Sequence, residues 1–254
     1  MSKIFFCGDN HSHFQHIVRA VQEHKPDAIV LLGDIEAQQP LELELAPILG
    51  VTEIRFIHGN HDTDSEESWR HLTQSQLAHL NLHARVDTVA GVRIAGLGGI
   101  FRENVWYPWQ TKHFENYDVF AKEARRWARL EKWSAQRTEK TLLTQLSTIF
   151  PAAFDALSKL QADVLVVHEA PSCHPRGFDA IDLLAKSMGV KTVFHGHHHD
   201  RLDYESSADR LGFCTHGVGF CGITDLAGNV VLAGDLDDVR KRTSLFGQDA
   251  EGEA

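Results

Sequence analysis

The sequence predicts a layered α/β fold on three observations. Short, almost wholly apolar runs alternate with stretches of helical periodicity, each run ends in a polar loop that often carries glycine, and one long helical stretch, residues 110–160, interrupts the pattern. Apolar runs this short and unbroken suit strands buried on both faces, since a strand with one wet face would alternate. A chain of 254 residues with 43% apolar and 24% charged residues can build a full core, which excludes a disordered or collagen-like protein.

In chain order, the first strand-like run is Ile4–Cys7, with a helical pattern over 13–24 behind it. Residues 28–32 form the next run, followed by a helical stretch at 41–49 and a run at 54–57. A helix is expected over roughly 66–80, then two strands, 86–89 and 92–95, joined by Ala90-Gly91, a pair suited to a hairpin turn. The glycine-rich loop 96–99 precedes the long helical stretch, where Val119, Ala121, Ala124, Trp127 and Leu130 are expected to share a stripe. A second helical run, 142–160, is broken at Pro151. Strands return at 164–167 and 192–194 around a helix at 180–188, and residues 211–236 read as a β-meander turning at Gly217, Gly222 and Ala227-Gly228-Asn229. The expected organisation is one domain over 1–236, with 110–160 as a helical insertion or cap, and a frayed polar tail over 237–254.

The formal charge is −10, which argues against a protein that grips nucleic acid by its overall field but leaves room for a locally basic cleft. No apolar run is long enough for a signal-peptide core or a membrane span, so a cytoplasmic location without membrane contact is expected. The four cysteines, Cys7, Cys173, Cys214 and Cys221, lie far apart, and disulfides are not expected there. What stands out is 17 histidines.

Six of them stand in the loops after the apolar runs, which hold Asp9-Asn10-His11, Gly33-Asp34, Gly59-Asn60-His61-Asp62, His168 and Gly196-His197-His198-His199. Taken singly each is weak, since a Gly-Asp after a strand is ordinarily a turn and a lone histidine is ordinarily surface or core. As an ordered set they carry more weight. In open α/β sheets ligand sites gather beyond the carboxyl ends of the strands, so these loops would converge on one place. An Asp, Asn and His donor set suits borderline or hard divalent cations.

In these motifs the chain resembles the calcineurin-like metallophosphoesterases, whose pattern runs D-x-H, G-D-x-x-D, G-N-H-D/E, H and G-H-x-H. The resemblance implies a fold of two mixed β-sheets packed as a sandwich and flanked by helices. It further implies one metal ion on Asp9, His11, Asp34 and His199, and a second on Asp34, Asn60, His168 and His197, with Asp34 bridging. Two divalent ions are expected, Mn²⁺ foremost, with Fe, Zn, Co or Ni also suited to the donors. Two cations roughly 3.5–4 Å apart can bind the phosphate oxygens and lower the pKa of a water between them, supplying hydroxide for in-line attack on phosphorus. His61 is the candidate general acid for the leaving group, or a stabiliser of charge on phosphorus, and Asp62 is expected to orient its imidazole. The alternative is a supporting histidine with no proton role.

Departures from the family pattern narrow the reading. The second motif ends in Glu36 rather than Asp, and the Arg-Gly of the protein phosphatases is replaced by Ala37-Gln38-Gln39-Pro40. This disfavours a protein phosphatase and leaves a phosphodiesterase, or a phosphomonoesterase, acting on a small phosphorylated or nucleotide substrate. A nuclease or dinucleotide hydrolase of the same superfamily is the nearby alternative, with nucleic acid less favoured by the acidic charge, and a non-catalytic interaction scaffold is the competing class. Arg102 and Asn104 are candidate substrate contacts. Residues 122–140, with seven basic and three acidic side chains plus Trp127 and Trp133, read either as a cap over substrate or as an amphipathic helix with a solvated charged face.

Overall fold

The alternation of apolar runs and helices folds into two five-stranded mixed sheets, seen in a computed structural model that describes residues 2–239. The amino-terminal half builds β1 (Ile4–Cys7), α1 (Gln15–His24), β2 (Ala28–Leu32), α2 (Leu41–Glu44), β3 (Glu53–Ile57) and α3 (Glu66–Thr73). The hairpin β4 (Arg85–Val89) and β5 (Val92–Leu97) follows, then the helices α4 (Tyr117–Leu130), α5 (Ala135–Thr144) and α6 (Pro151–Leu157). The remainder is β6 (Val164–Val167), α7 (Asp179–Ser187), β7 (Thr192–His195), α8 (Ala208–Leu211), β8 (Cys214–Gly217), β9 (Ile223–Asp225) and β10 (Val230–Leu232).

One sheet runs β10-β9-β1-β2-β3 and the other β4-β5-β6-β7-β8. β1, β2 and β3 are parallel, as are β5 to β8, and among the described residues antiparallel pairs occur only at one side of each sheet. The period of two inside the apolar strands divides the core into three layers. Ile4, Phe6, Val30, Leu32, Val166 and Phe194 point between the sheets, where the Phe6 and Phe194 rings stack with centroids 3.7 Å apart. Their neighbours Phe5, Cys7, Ile29 and Leu31 face Ile17 and Val21 of α1. Leu165, Val167 and Val193 face Phe120, Leu157, Ile181 and Leu184 on α4, α6 and α7.

Local chemistry explains several boundaries. Ala90 (φ 46) and Gly91 (φ 81) take the left-handed conformations that a two-residue hairpin requires. Asn116 and Ser134 cap α4 and α5 through hydrogen bonds from Val119 N and Arg137 N. Pro151 starts a helix rather than merely breaking one, because its missing N–H costs nothing in the first turn.

Four expectations need correction. Residues 211–236 do not form a meander, since β8 pairs in parallel with β7 while β9 and β10 join the other sheet. The helix expected over 66–80 ends at Thr73, after which only a short turn at Ala78–Leu80 is helical. On α4 the buried face is Phe120, Ala121 and Ala124, while Val119 (45%) and Leu130 (69%) are exposed, so the true stripe is rotated toward Phe120. Asp237, expected to start a frayed tail, is buried and accepts hydrogen bonds from Arg201 and Gly234 N. The rest of that expected tail, 240–254, lies outside the described residues. Among the described residues no helix is long and apolar enough to cross a membrane.

Replacing Phe194 by alanine empties the middle of the inter-sheet layer and is expected to lower the unfolding free energy by about 3–5 kcal/mol in urea denaturation. Leu130→Ala, on the exposed side of α4, should stay within about 0.5 kcal/mol of the parent.

Candidate metal centre

Parallel strands share the direction of their carboxyl ends, so the loops after β1, β2 and β3 meet those after β5, β6 and β7 at one end of the sandwich. Asp9 (φ 20), His11 (φ 38), Asp34 (φ 47), Glu36 (φ 48), His197 (φ 69) and His199 (φ 56) all adopt left-handed backbone there. Each such residue costs about 1–3 kcal/mol and persists only where its surroundings dictate it. Backbone bonds from His11 N to Asp34 O and from Ser12 N to Ile35 O, both 2.9 Å, zip the first two loops together. Gly59 is required by close approach, because a Cβ there would collide with the Asp34 carboxylate and the His168 ring.

The loops bring together two trios of donor atoms that share Asp34. His11, Asp34 and His199 form one and Asp34, His168 and His197 the other, with all donor atoms in each within 4.8 Å of one another. Hydrogen bonds on the far side of the rings decide what these donors present. His168 Nδ1–H donates to Leu32 O at 2.8 Å, which leaves the Nε2 lone pair facing Asp34 Oδ2 and Asn60 Oδ1, each 3.2 Å away. His11 Nδ1 lies 2.9 Å from Glu36 Oε2 and donates to it, so its Nε2 lone pair faces His199 Nε2 at 3.0 Å. With the Nε2 atoms of His168 and His11 unprotonated, acceptors would converge on acceptors around the buried Asp34 Oδ2. Only a positive charge between them resolves this, and the donor set fits divalent metal ions.

The electrostatics of the side chains alone give the same answer. Burial opposes charge on His168, yet Asp34 and Asp9 outweigh it and push its pKa up to about 10, so a proton takes the cation's place. Burial raises Asp9 to about 7, against the pull of His168, and both its carboxylate oxygens accept from His197 N at 3.0 and 3.1 Å. Asp9 thus lies beside the trios rather than within one, with Oδ1 3.8 Å from His168 Nδ1. Burial and the proximity of His168 lower His197 to about 3, which keeps its ring neutral and available as a ligand.

His61 sits at the mouth of the centre with its side chain 44% exposed and its N–H donating to Asp34 Oδ1. The expectation that Asp62 orients its imidazole is corrected. Asp62 is fully buried and accepts from Ile35 N, Glu36 N and Gly59 N at 2.7–2.9 Å, which staples the loop after β2 to the loop after β3. Asp64 instead accepts from His61 Nδ1 at 2.7 Å, and Glu36 Oε1 lies 3.9 Å from the same nitrogen. Burial works against charge on His61, but the Asp64 hydrogen bond and the charges of Asp34, Asp64 and Glu36 prevail and raise its pKa.

Arg102 is held by Thr148 Oγ1 at 3.1 Å and Ser147 Oγ at 3.4 Å, and Ser147 Oγ in turn meets Thr63 Oγ1 at 2.6 Å. The segment between α5 and α6 thereby positions a guanidinium near Asp64 and Glu169, whose charges act on it. Asn104 is exposed in the following turn. Sequence reasoning passed over Glu36 and Asp64 as site residues. For Asp64 the three-residue helical turn His61–Thr63, which brings position 64 back over His61, is a signal visible only once the turn is known.

Known proteins resemble this chain in sequence and in fold. Residues 2–201 match the model of the calcineurin-like phosphoesterase family. A protein of Haemophilus influenzae described as uncharacterised is 36% identical over 241 residues, which is 94% of this chain and 100% of that protein. The crystal structure of TT1561 from Thermus thermophilus superposes with a TM-score of 0.52 at 15% identity, covering 92% of this chain and 98% of that one, and so shares the fold. With its two mixed sheets, its converging donor loops and a family match over most of its length, the chain belongs to the calcineurin-like phosphoesterases.

Proposed function

We propose that this protein hydrolyses a phosphodiester with two divalent cations, Mn²⁺ foremost. One ion is held by His11, Asp34 and His199 together with Asp9, the other by Asp34, His168, His197 and Asn60. The observation that carries this reading is the buried Asp34 carboxylate, whose Oδ2 lacks a hydrogen bond while imidazole nitrogens face it from both sides. The cations, when bound, supply neutralisation of the phosphate and a water of lowered pKa.

The chain's own residues do the rest. Leu32 O and Glu36 fix the rings of His168 and His11 so that Nε2 of each points inward. His61, with Asp64 behind it, holds a proton at Nε2 and delivers it to the departing oxygen, which matters most when that oxygen is a poor leaving group. A diester is favoured because Gly59-Asn60-His61-Asp62 without a following Arg-Gly in the second motif resembles the phosphodiesterase branches.

Mn²⁺-loaded protein is expected to cleave bis-p-nitrophenyl phosphate and to lose activity on chelation, with recovery on metal addition. Two bound metals with no turnover of either this diester or p-nitrophenyl phosphate would instead indicate a non-catalytic scaffold. His61→Ala should retain both metals and lose about 10²–10⁴ in kcat on an alkyl diester, with a smaller loss on the nitrophenyl ester, whereas Asp34→Asn should empty the centre by metal analysis. Asp64→Asn should lower kcat about tenfold at full metal content, while Asp62→Ala should lower metal occupancy and melting temperature together, because it unfastens two ligand loops.

A further inference from the structure

The turn that carries His197 and His199 is held by side chains that the proposed hydrolysis does not use. Its backbone is strained, since both residues adopt left-handed conformations, at φ 69 and φ 56. Such a turn persists only where its surroundings dictate it. On one side the hold comes from Asp9, whose carboxylate accepts from His197 N. On the other it comes from histidines outside the donor set.

His174 lies in the loop between β6 and α7, with its side chain 4% exposed. Its ring lies flat on that of His198, with centroids 3.8 Å apart and planes 11° from parallel. His198 Nε2 is buried without a hydrogen bond among the described residues, so packing holds that edge of the ring. Arg176 N donates to His174 Nδ1 at 3.0 Å, which makes that nitrogen an acceptor and places the ring hydrogen on Nε2. Nε2 in turn donates to Asp200 Oδ2 at 3.3 Å. His174 therefore grips the chain one residue before His199 and one residue after it. His195 braces the start of the same turn, donating from Nδ1 to Gly196 O and accepting from the Tyr204 hydroxyl at Nε2, both at 3.1 Å.

Resting on the reading of His197 and His199 as ligands, we propose that His174 is a positioning residue of the metal centre: it holds the turn over 196–200 with both ligand rings aimed inward and so sets the affinity for both cations. The face of the ring fixes His198 and the Nε2 hydrogen fixes Asp200. Phenylalanine would keep the face and lose the donor, and glutamine would keep a donor and lose the face. His197 and His199 belong to different donor trios, so a loosened turn weakens both sites together.

The test is titration of the metal-free, full-length protein with Co²⁺, read by visible absorption and equilibrium dialysis, with urea denaturation alongside. The parent is expected to take up two ions per chain. His174→Ala should weaken both by about 10–100-fold, the scale seen when a group that orients a ligand is lost. His174→Phe and His174→Gln should each recover part of that loss. Leu184→Ala, in the buried face of the neighbouring α7, should lose stability with Co²⁺ affinity unchanged, which separates positioning from folding. His174→Ala that binds both ions like the parent, or that weakens one ion alone, overturns the proposal. Should His174→Ala fail to fold by circular dichroism, the other two variants decide: weaker binding in either supports the role, and parental binding in both overturns it. If the parent takes up two ions and the variants match it, the role of His174 falls and the phosphoesterase reading stands. A parent that takes up no Co²⁺ overturns the metal reading itself, and the role of His174 with it.

Discussion

The convergence of lone pairs on one buried carboxylate is the constraint around which the active end of this protein is built. Asp34 Oδ2 has no hydrogen bond, and the Nε2 atoms of His168 and His11 lie 3.2 and 3.9 Å from it. Acceptor facing acceptor in a dry site is unfavourable unless a proton or a metal cation stands between them. The arrangement is stable as a design because each ring is oriented from behind, His168 by a strand carbonyl and His11 by Glu36. The metal-free protein therefore gives up stability to hold its donors in place, which is the usual relation at a preorganised site.

The sandwich absorbs that cost elsewhere. Its middle layer holds a closely packed apolar cluster, with Phe6 against Phe194, so the strand ends are held while the loops beyond them adopt unfavourable backbone conformations. Asp62 joins two of those loops through three backbone N–H groups, a structural task for a residue that stands immediately beside the proposed acid. The helical insertion joins in between α5 and α6, where Ser147 and Thr148 hold Arg102. Phe120 and Ala124 of α4 and Leu157 of α6 pack in the core of the second sheet, while α5 buries no residue. Trp133, for its part, is taken up by Arg137 over its ring at 4.0 Å and by Glu131.

How much of this was legible beforehand follows from the range of each interaction. Strands buried on both faces, a hairpin at Ala90-Gly91 and donor residues at strand ends depend on local pattern, so they could be read directly from the chain. The α4 stripe was misread by one step because its burial depends on which face meets the sheet, and β8 was separated from β9 by partner choices made far away in sequence. Likewise the donor types and their order were set by the chain alone. Which carboxylate serves His61, and that Asp62 is bound to three backbone groups, were decided only by tertiary structure, since both depend on atoms brought within a few ångströms by folding.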